Sequence, residues 1–183
     1  METLDSILKR RSIRRFTDQA IPQADLELIL KAGFNAPSAH RLHPLDYIII
    51  SEKERLNGMA DLLTYGRPLR EAYCAICVVG DHDKQELFDF LSQDAAASMQ
   101  NMALMATDLG CASVWIGVSQ SYPNIEDVET YLGLPKQIKC LSVLALGYPA
   151  VNKEANDRYD IHKFHYERWS KCKSMTSYPF PIF

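Results

Sequence analysis

The sequence predicts a single domain of mixed helices and strands followed by an extended C-terminal arm. Three observations predict it. Segments with helical apolar spacing alternate with short β-branched runs up to Leu146. The chain has 183 residues, the size of one domain. Its composition is 47% hydrophobic and 23% charged, which excludes wholesale disorder.

Thr3 is placed to cap a first helix carrying Leu4, Ile7 and Leu8 on one face. A basic loop, Arg10 to Phe16, follows. Pro22 suits the first turn of a second helix with an apolar stripe of Leu26, Ile29, Leu30 and Phe34. Asn35-Ala36-Pro37-Ser38 ends that pattern, and Tyr47 to Ile50 reads as a strand. Ser51 with Glu54 has the spacing of a capping box for a third helix. Ala72 to Val79 reads as a buried strand. Gln85 to Leu109 reads as a long helix stopped by Gly110. The second half of that helix is apolar almost all round, which calls for burial on several sides and makes a subunit interface the natural partner. Ala112 to Val118 is a third strand, Asn124 caps a short helix ending at Gly133, and Ile138 to Leu146 is a fourth strand. Beyond Pro149 the composition turns polar and aromatic, with one short helix expected over Lys163 to Trp169 and an apolar, Pro-rich end from Ser177 to Phe183.

Charge and cysteine usage narrow the function. The balance of 20 Lys+Arg against 23 Asp+Glu gives a formal net charge of -3, a poor fit to a nucleic-acid coat. No run approaches the ~20 apolar residues of a membrane span, and Met1 to Arg15 has no stretch suited to a signal peptide. Five cysteines, four of them inside apolar segments, read as reduced thiols of a cytoplasmic protein. Cys74 and Cys77 have CxxC spacing, yet on a strand they point to opposite faces, and no second CxxC completes a metal site. His40-x-x-His43 and His162-x-x-His165 lack the cysteines or carboxylates of a metal centre, so no metal is expected. Asp94, on an apolar stretch of the long helix, is expected to make a buried hydrogen bond or a helix-end contact, in a structural role before a catalytic one.

The sharpest local feature is Lys9-Arg10-Arg11-Ser12-Ile13-Arg14-Arg15-Phe16. Guanidinium forks and a hydroxyl match the oxygens of a phosphate dianion, although a solvated basic loop has the same composition. Neither GxGxxG nor a P-loop is present, so a Rossmann dinucleotide site or a Walker ATPase is unsupported. Three further segments carry small residues or turn chemistry: Ala36-Pro37-Ser38-Ala39, Trp115-Ile116-Gly117 and Leu146-Gly147-Tyr148-Pro149.

These four segments, with the tail Arg158-Tyr159-Asp160 to His165-Tyr166-Glu167-Arg168-Trp169, occur in one order and spacing. Together they resemble the nitroreductase family of FMN-dependent oxidoreductases, over about Leu4 to Trp169. The resemblance implies an α+β, three-layer α/β/α fold: a central, mostly antiparallel sheet flanked by helices, in an intertwined homodimer. It implies one domain over residues 1–170, with residues from about 150 to 183 forming an arm that packs on the partner subunit. It implies tightly bound FMN at the dimer interface. Arg10, Ser12 and Arg14 would hold the phosphate and ribityl region, with Arg11 adding contacts and Arg158 approaching from the arm. Pro37, Ser38 and Ala39 would come from the partner subunit to flank the flavin, and Ile116 and Gly117 would offer backbone groups at the ring edge. The family commonly has Asn, Gln and an aromatic where this chain has Arg41, His43 and Leu45. Arg41 is expected to donate to the ring in place of the Asn, with a swing to solvent or closure over the phosphate as the alternatives. The implied activity is ping-pong transfer from NAD(P)H to a nitroaromatic, quinone or related small-molecule acceptor, with the chemistry carried by FMN and no dedicated catalytic side chain. A dehalogenase, an ene-reductase, a flavin-fragmenting enzyme or a flavin-binding dimer without turnover are the alternatives on the same fold.

Overall fold

Period-two alternation along the central strands sorts apolar side chains onto the two faces of one sheet, and helices cover both. The computed structural model describes residues 2–165 and 167–169; Cys172 and the apolar end from Ser177 lie outside them. In chain order the elements are α1 (Thr3–Lys9), α2 (Gln23–Phe34), β1 (Leu45–Ile50), α3 (Lys53–Leu62), β2 (Cys74–Asp81), α4 (Phe88–Asp108), β3 (Ala112–Gly117), α5 (Ile125–Leu132) and β4 (Ile138–Gly147). The sheet runs β1-β2-β4-β3, and every neighbouring pair is antiparallel. β1 and β3 are therefore its two edges.

β2 is buried from Cys74 to Gly80 because helices lie on both of its faces. Cys74, Ile76 and Val78 pack with Ile29 of α2 and Met99 and Met102 of α4. Ala75 and Cys77 face the other way, toward Leu56 and Met59 of α3 and Val128 of α5. The CxxC cysteines thus belong to different cores, as strand geometry requires. The expected three-layer arrangement with an antiparallel sheet is the one observed.

α4 ends as its sequence predicts. Gly110 has φ 76°, the left-handed value that glycine adopts without strain. The Cys111 amide donates to Ala106 O at 2.8 Å and the Gly110 amide to Thr107 O at 3.1 Å, the paired bonds of a Schellman stop.

Several local expectations are corrected. Glu2, not Thr3, stands at the cap of α1, and Pro22 is the cap residue of α2 instead of lying in its first turn. Glu52, not Ser51, occupies the cap position of α3, so the Ser51–Glu54 box lies one residue out of register. Asn124 does sit at the cap of α5, but its side-chain amide donates to Leu62 O, tying α5 to α3 instead of closing its own helix. The helix expected over Lys163 to Trp169 is replaced by a single 3-10 turn, Ile161–Lys163, and residues 164, 165 and 167–169 are non-helical.

Candidate cofactor site

The basic loop is stapled to the sheet by its two apolar residues. Ile13 and Phe16 are each 6% exposed and join the α3/α5-side core. The Ile13 amide donates to Ser113 O at 3.0 Å, the Thr17 amide to Tyr148 O at 2.9 Å, and the Ala150 amide to Arg15 O at 3.0 Å. Ser12 bridges Ser113 on the outer side of β3. Extended backbone between these anchors turns successive side chains to opposite sides. On one side Arg11 and Ile13 line a recess with Cys111 and Lys153, and Arg11 Nη1 donates to Glu154 O. On the other side Arg14 faces a cavity of about 430 Å³ walled by Thr64, Tyr65, Arg67, Pro68 and Glu71. Arg15 lines that cavity too, paired with Glu71 at 3.0 Å. Lys9, Arg11 and Ile13 thus share the recess under the arm, while Arg14 and Arg15 both reach the cavity on the other side.

The arm runs back along this loop. Lys153 Nζ donates to Ser12 O at 2.9 Å, and the Asn156 amide donates to Leu8 O at 3.1 Å. This brings exposed Arg158 within two residues of a backbone contact to α1. At the far end of β3, the Ile116 side chain is buried in the core while Gly117 is exposed. A Cβ built on Gly117 meets nothing within 4 Å, so a flat ligand can approach the strand backbone there.

The Pro37–Arg41 segment sits elsewhere. It leads into β1, the opposite edge of the sheet from β3. Three strand steps of about 4.8 Å separate the two edges, so one chain does not bring Pro37, Ser38, Ala39 and Arg41 beside Ser12, Ile116 and Gly117. The loop is anchored on α4. The Ser38 hydroxyl donates to Asp94 Oδ2 at 2.8 Å, the Ala39 amide donates to Asp94 Oδ1 at 2.9 Å, and the His43 amide donates to Ser38 Oγ at 3.0 Å. The His40 ring meets Phe90 edge-on at 5.6 Å. Beyond these anchors the backbone is strained: His40, Arg41 and His43 have φ of 54°, 60° and 46°. Bulky side chains rarely occupy this region, at about 1–3 kcal/mol each. Asn tolerates it better, so the departure from the family pattern at Arg41 falls on a position that disfavours Arg locally.

The sequence pointed to the basic loop, the Pro37 loop and the β3 edge. It missed Asp94 as the anchor of the Pro37 loop and missed the Thr64–Glu71 wall, which carries no motif.

The profile of the Nitroreductase family matches residues 7–66 and 62–148, and the chain belongs to that family. An Archaeoglobus fulgidus protein named as a candidate NADH dehydrogenase/NAD(P)H nitroreductase is 38% identical over 172 residues, spanning 92% of this chain and 99% of the relative. Among solved structures, an FMN-dependent nitroreductase from Clostridium difficile superposes with a TM-score of 0.83 at 27% identity, over 91% of this chain and 99% of that one. A candidate nitroreductase from Desulfovibrio desulfuricans, solved in complex with FMN, gives a TM-score of 0.80 at 29% identity, over 93% and 99%.

Proposed function

We propose that this chain is an FMN-dependent oxidoreductase that uses NAD(P)H to reduce nitroaromatic, quinone or related electron-poor acceptors, and that residues 1–170 form its flavin-binding domain. The observation that carries the reading is the basic loop itself, five cations within eight residues fixed to the sheet edge through Ile13 and Ser12. Arg10, Ser12 and Arg14 are the members of this loop that we assign to a phosphate dianion and its ribityl chain. Family membership and the FMN-dependent relatives support it. FMN, when bound, supplies a ring that accepts a hydride from NAD(P)H and passes two electrons to an acceptor in a ping-pong cycle.

The chain's own groups bind and orient. Arg10 and Arg14 neutralise the phosphate, and Ser12 adds a hydroxyl donor. The exposed backbone at Gly117 admits the ring edge, and Arg14, Tyr65 and Arg67 line a separate cavity beside the basic loop. Arg158 approaches from the arm. The Pro37–Ala39 segment and Arg41 complete the site from a second copy, because within one chain they lie at the other edge of the sheet.

The single chain also leaves apolar surface for such a copy. Leu4 and Ile7 of α1 are 65% and 47% exposed. A groove between α1, α2 and α4 is lined by Ala32, Leu104 and Met105. A reducing compartment, the cytoplasm, suits the unpaired, buried Cys74, Cys77, Cys111 and Cys140. No helix of the described residues is long and apolar enough to cross a membrane.

The test is anaerobic reduction. Purified protein should carry or take up FMN and lose its flavin absorption on addition of NADH or NADPH. Absorption should return when a nitroaromatic or quinone is added. A protein that takes up no FMN would refute the proposal.

A further inference from the structure

Asp94 commits both carboxylate oxygens to one loop. The side chain is 4% exposed, and its two bonds reach Ser38 and Ala39, more than fifty residues away in sequence. A serine hydroxyl has one proton and two acceptor sites. Here the proton goes to Asp94 and one acceptor site takes the His43 amide. Ser38 is therefore left with no donor for a ligand. The same two bonds lock the start of the segment whose next residues, His40, Arg41 and His43, stand in left-handed backbone. Strained backbone of this kind persists only where its surroundings over-determine it, and the Asp94 carboxylate is the buried group that does so from α4.

We propose that Asp94 is a positioning residue for the flavin-binding loop. Through Ser38 and the Ala39 amide it holds residues 40–43 in their left-handed path. It also keeps the Ser38 hydroxyl an acceptor toward a bound ring, so that the donors the loop offers are backbone amides and the Arg41 guanidinium. The inference rests on the FMN-binding function proposed above and adds to it the group that sets the loop's shape and polarity.

Asp94→Asn isolates the effect. The Ala39 amide fixes the carboxamide oxygen on its own side, so the amide NH2 must face Ser38 and donate to it. The Ser38 proton is then expelled to the outer side of the loop. Two measurements read the consequence. In FMN-free protein, trypsin cleavage at the exposed Arg41–Leu42 bond should accelerate about tenfold, while the melting temperature and cleavage at other sites stay as in the wild type. By fluorescence titration, the FMN dissociation constant should rise about tenfold, the loss of one charge-assisted bond. Ser38→Ala should reproduce both changes, and Asp94→Asn added to it should contribute less than about twofold, because coupled residues are not additive.

Wild-type cleavage and FMN affinity in either single variant would overturn the proposal. If Asp94→Asn fails to fold, Ser38→Ala, a half-buried residue, carries both measurements alone. A wild type that takes up no FMN while trypsin still responds to the substitutions would sink the flavin role and retain the loop lock. The two failures are thus distinguishable.

Discussion

Arg11 and Arg14 of the basic loop do different work, because they face different recesses. Arg11 reaches Glu154 O and lines the recess under the arm, whereas Arg14 faces the large cavity beside Tyr65 and Arg67. Arg10→Ala and Arg14→Ala should each weaken FMN binding by about 1.5–3 kcal/mol, roughly ten- to a hundredfold in dissociation constant, since each removes a charge-assisted contact to phosphate. Arg11→Ala should change it by less than about threefold, within the range of a solvent-screened charge, and should loosen the arm instead. Fluorescence titration of the three variants checks both halves; equal losses at Arg11 and Arg14 would show that the two recesses do not separate their roles toward the ligand. At this scale the sequence was informative where composition is extreme, five cations within eight residues. It was silent where chemistry is assembled by folding. Thr64, Tyr65, Arg67 and Glu71 are unremarkable residues until a 3-10 turn over Arg67–Arg70 sets them opposite Arg14. Asp94 was visible as a carboxylate on an apolar helix stretch, but its partner lies 56 residues away, beyond any local pattern.

Strands and the long helix were legible because burial imposes a period, and a period survives any tertiary context. Caps and the short tail helix were not. A capping box needs its Ser at one exact position, and α3 starts a residue later than the box requires. Asn124 found a carbonyl on a neighbouring element. A seven-residue pattern such as Lys163 to Trp169 is too short to hold itself helical without packing. The buried strands carry a pH signature. Burial pushes the Cys74 and Cys140 thiols up from 9.0 to about 12, and Cys77 is raised as well. The unfolded chain then loses these protons first as pH rises. For Cys74 and Cys140 the full contribution to stability is present below pH 9 and is lost as pH rises from 9 toward about 12, and Cys77 acts in the same direction. Denaturant midpoints measured from pH 8 to 11 should fall, and Cys140→Ala should flatten the fall. Disulfide reagents at pH 8 should leave Cys74, Cys77, Cys111 and Cys140 unmodified until the protein unfolds. Close packing also joins β4 to the site: a Cβ on Gly147 would stand 2.8 Å from Phe16 Cδ1. Gly147→Ala should therefore cost about 1–3 kcal/mol by overpacking, read as a lower melting temperature, and should weaken FMN binding by shifting the staple of the basic loop.

The whole molecule divides its candidate site between the two edges of one sheet. Ser12 meets β3, and the Pro37 loop enters β1, with β2 and β4 between them. No rotamer change closes a gap of about three strand spacings. Either only one half is used, or a second copy supplies the other, and the exposed Leu4 and Ile7 of α1 offer that copy an apolar seat. Hybrid dimers decide between these. Arg14→Ala disables the basic half and Ala39→Glu sets a carboxylate in the loop half, so each homodimer should bind FMN at least about tenfold more weakly than wild type. When the two variants are unfolded together and refolded, the hybrid holds one site with both defects and one with neither. It should recover one tight FMN per two chains, and sedimentation should give twice the chain mass. If both halves acted within a single chain, every site in the hybrid would carry one defect and no tight binding would return. Recovery therefore requires that the loop of one chain serve the basic face of the other.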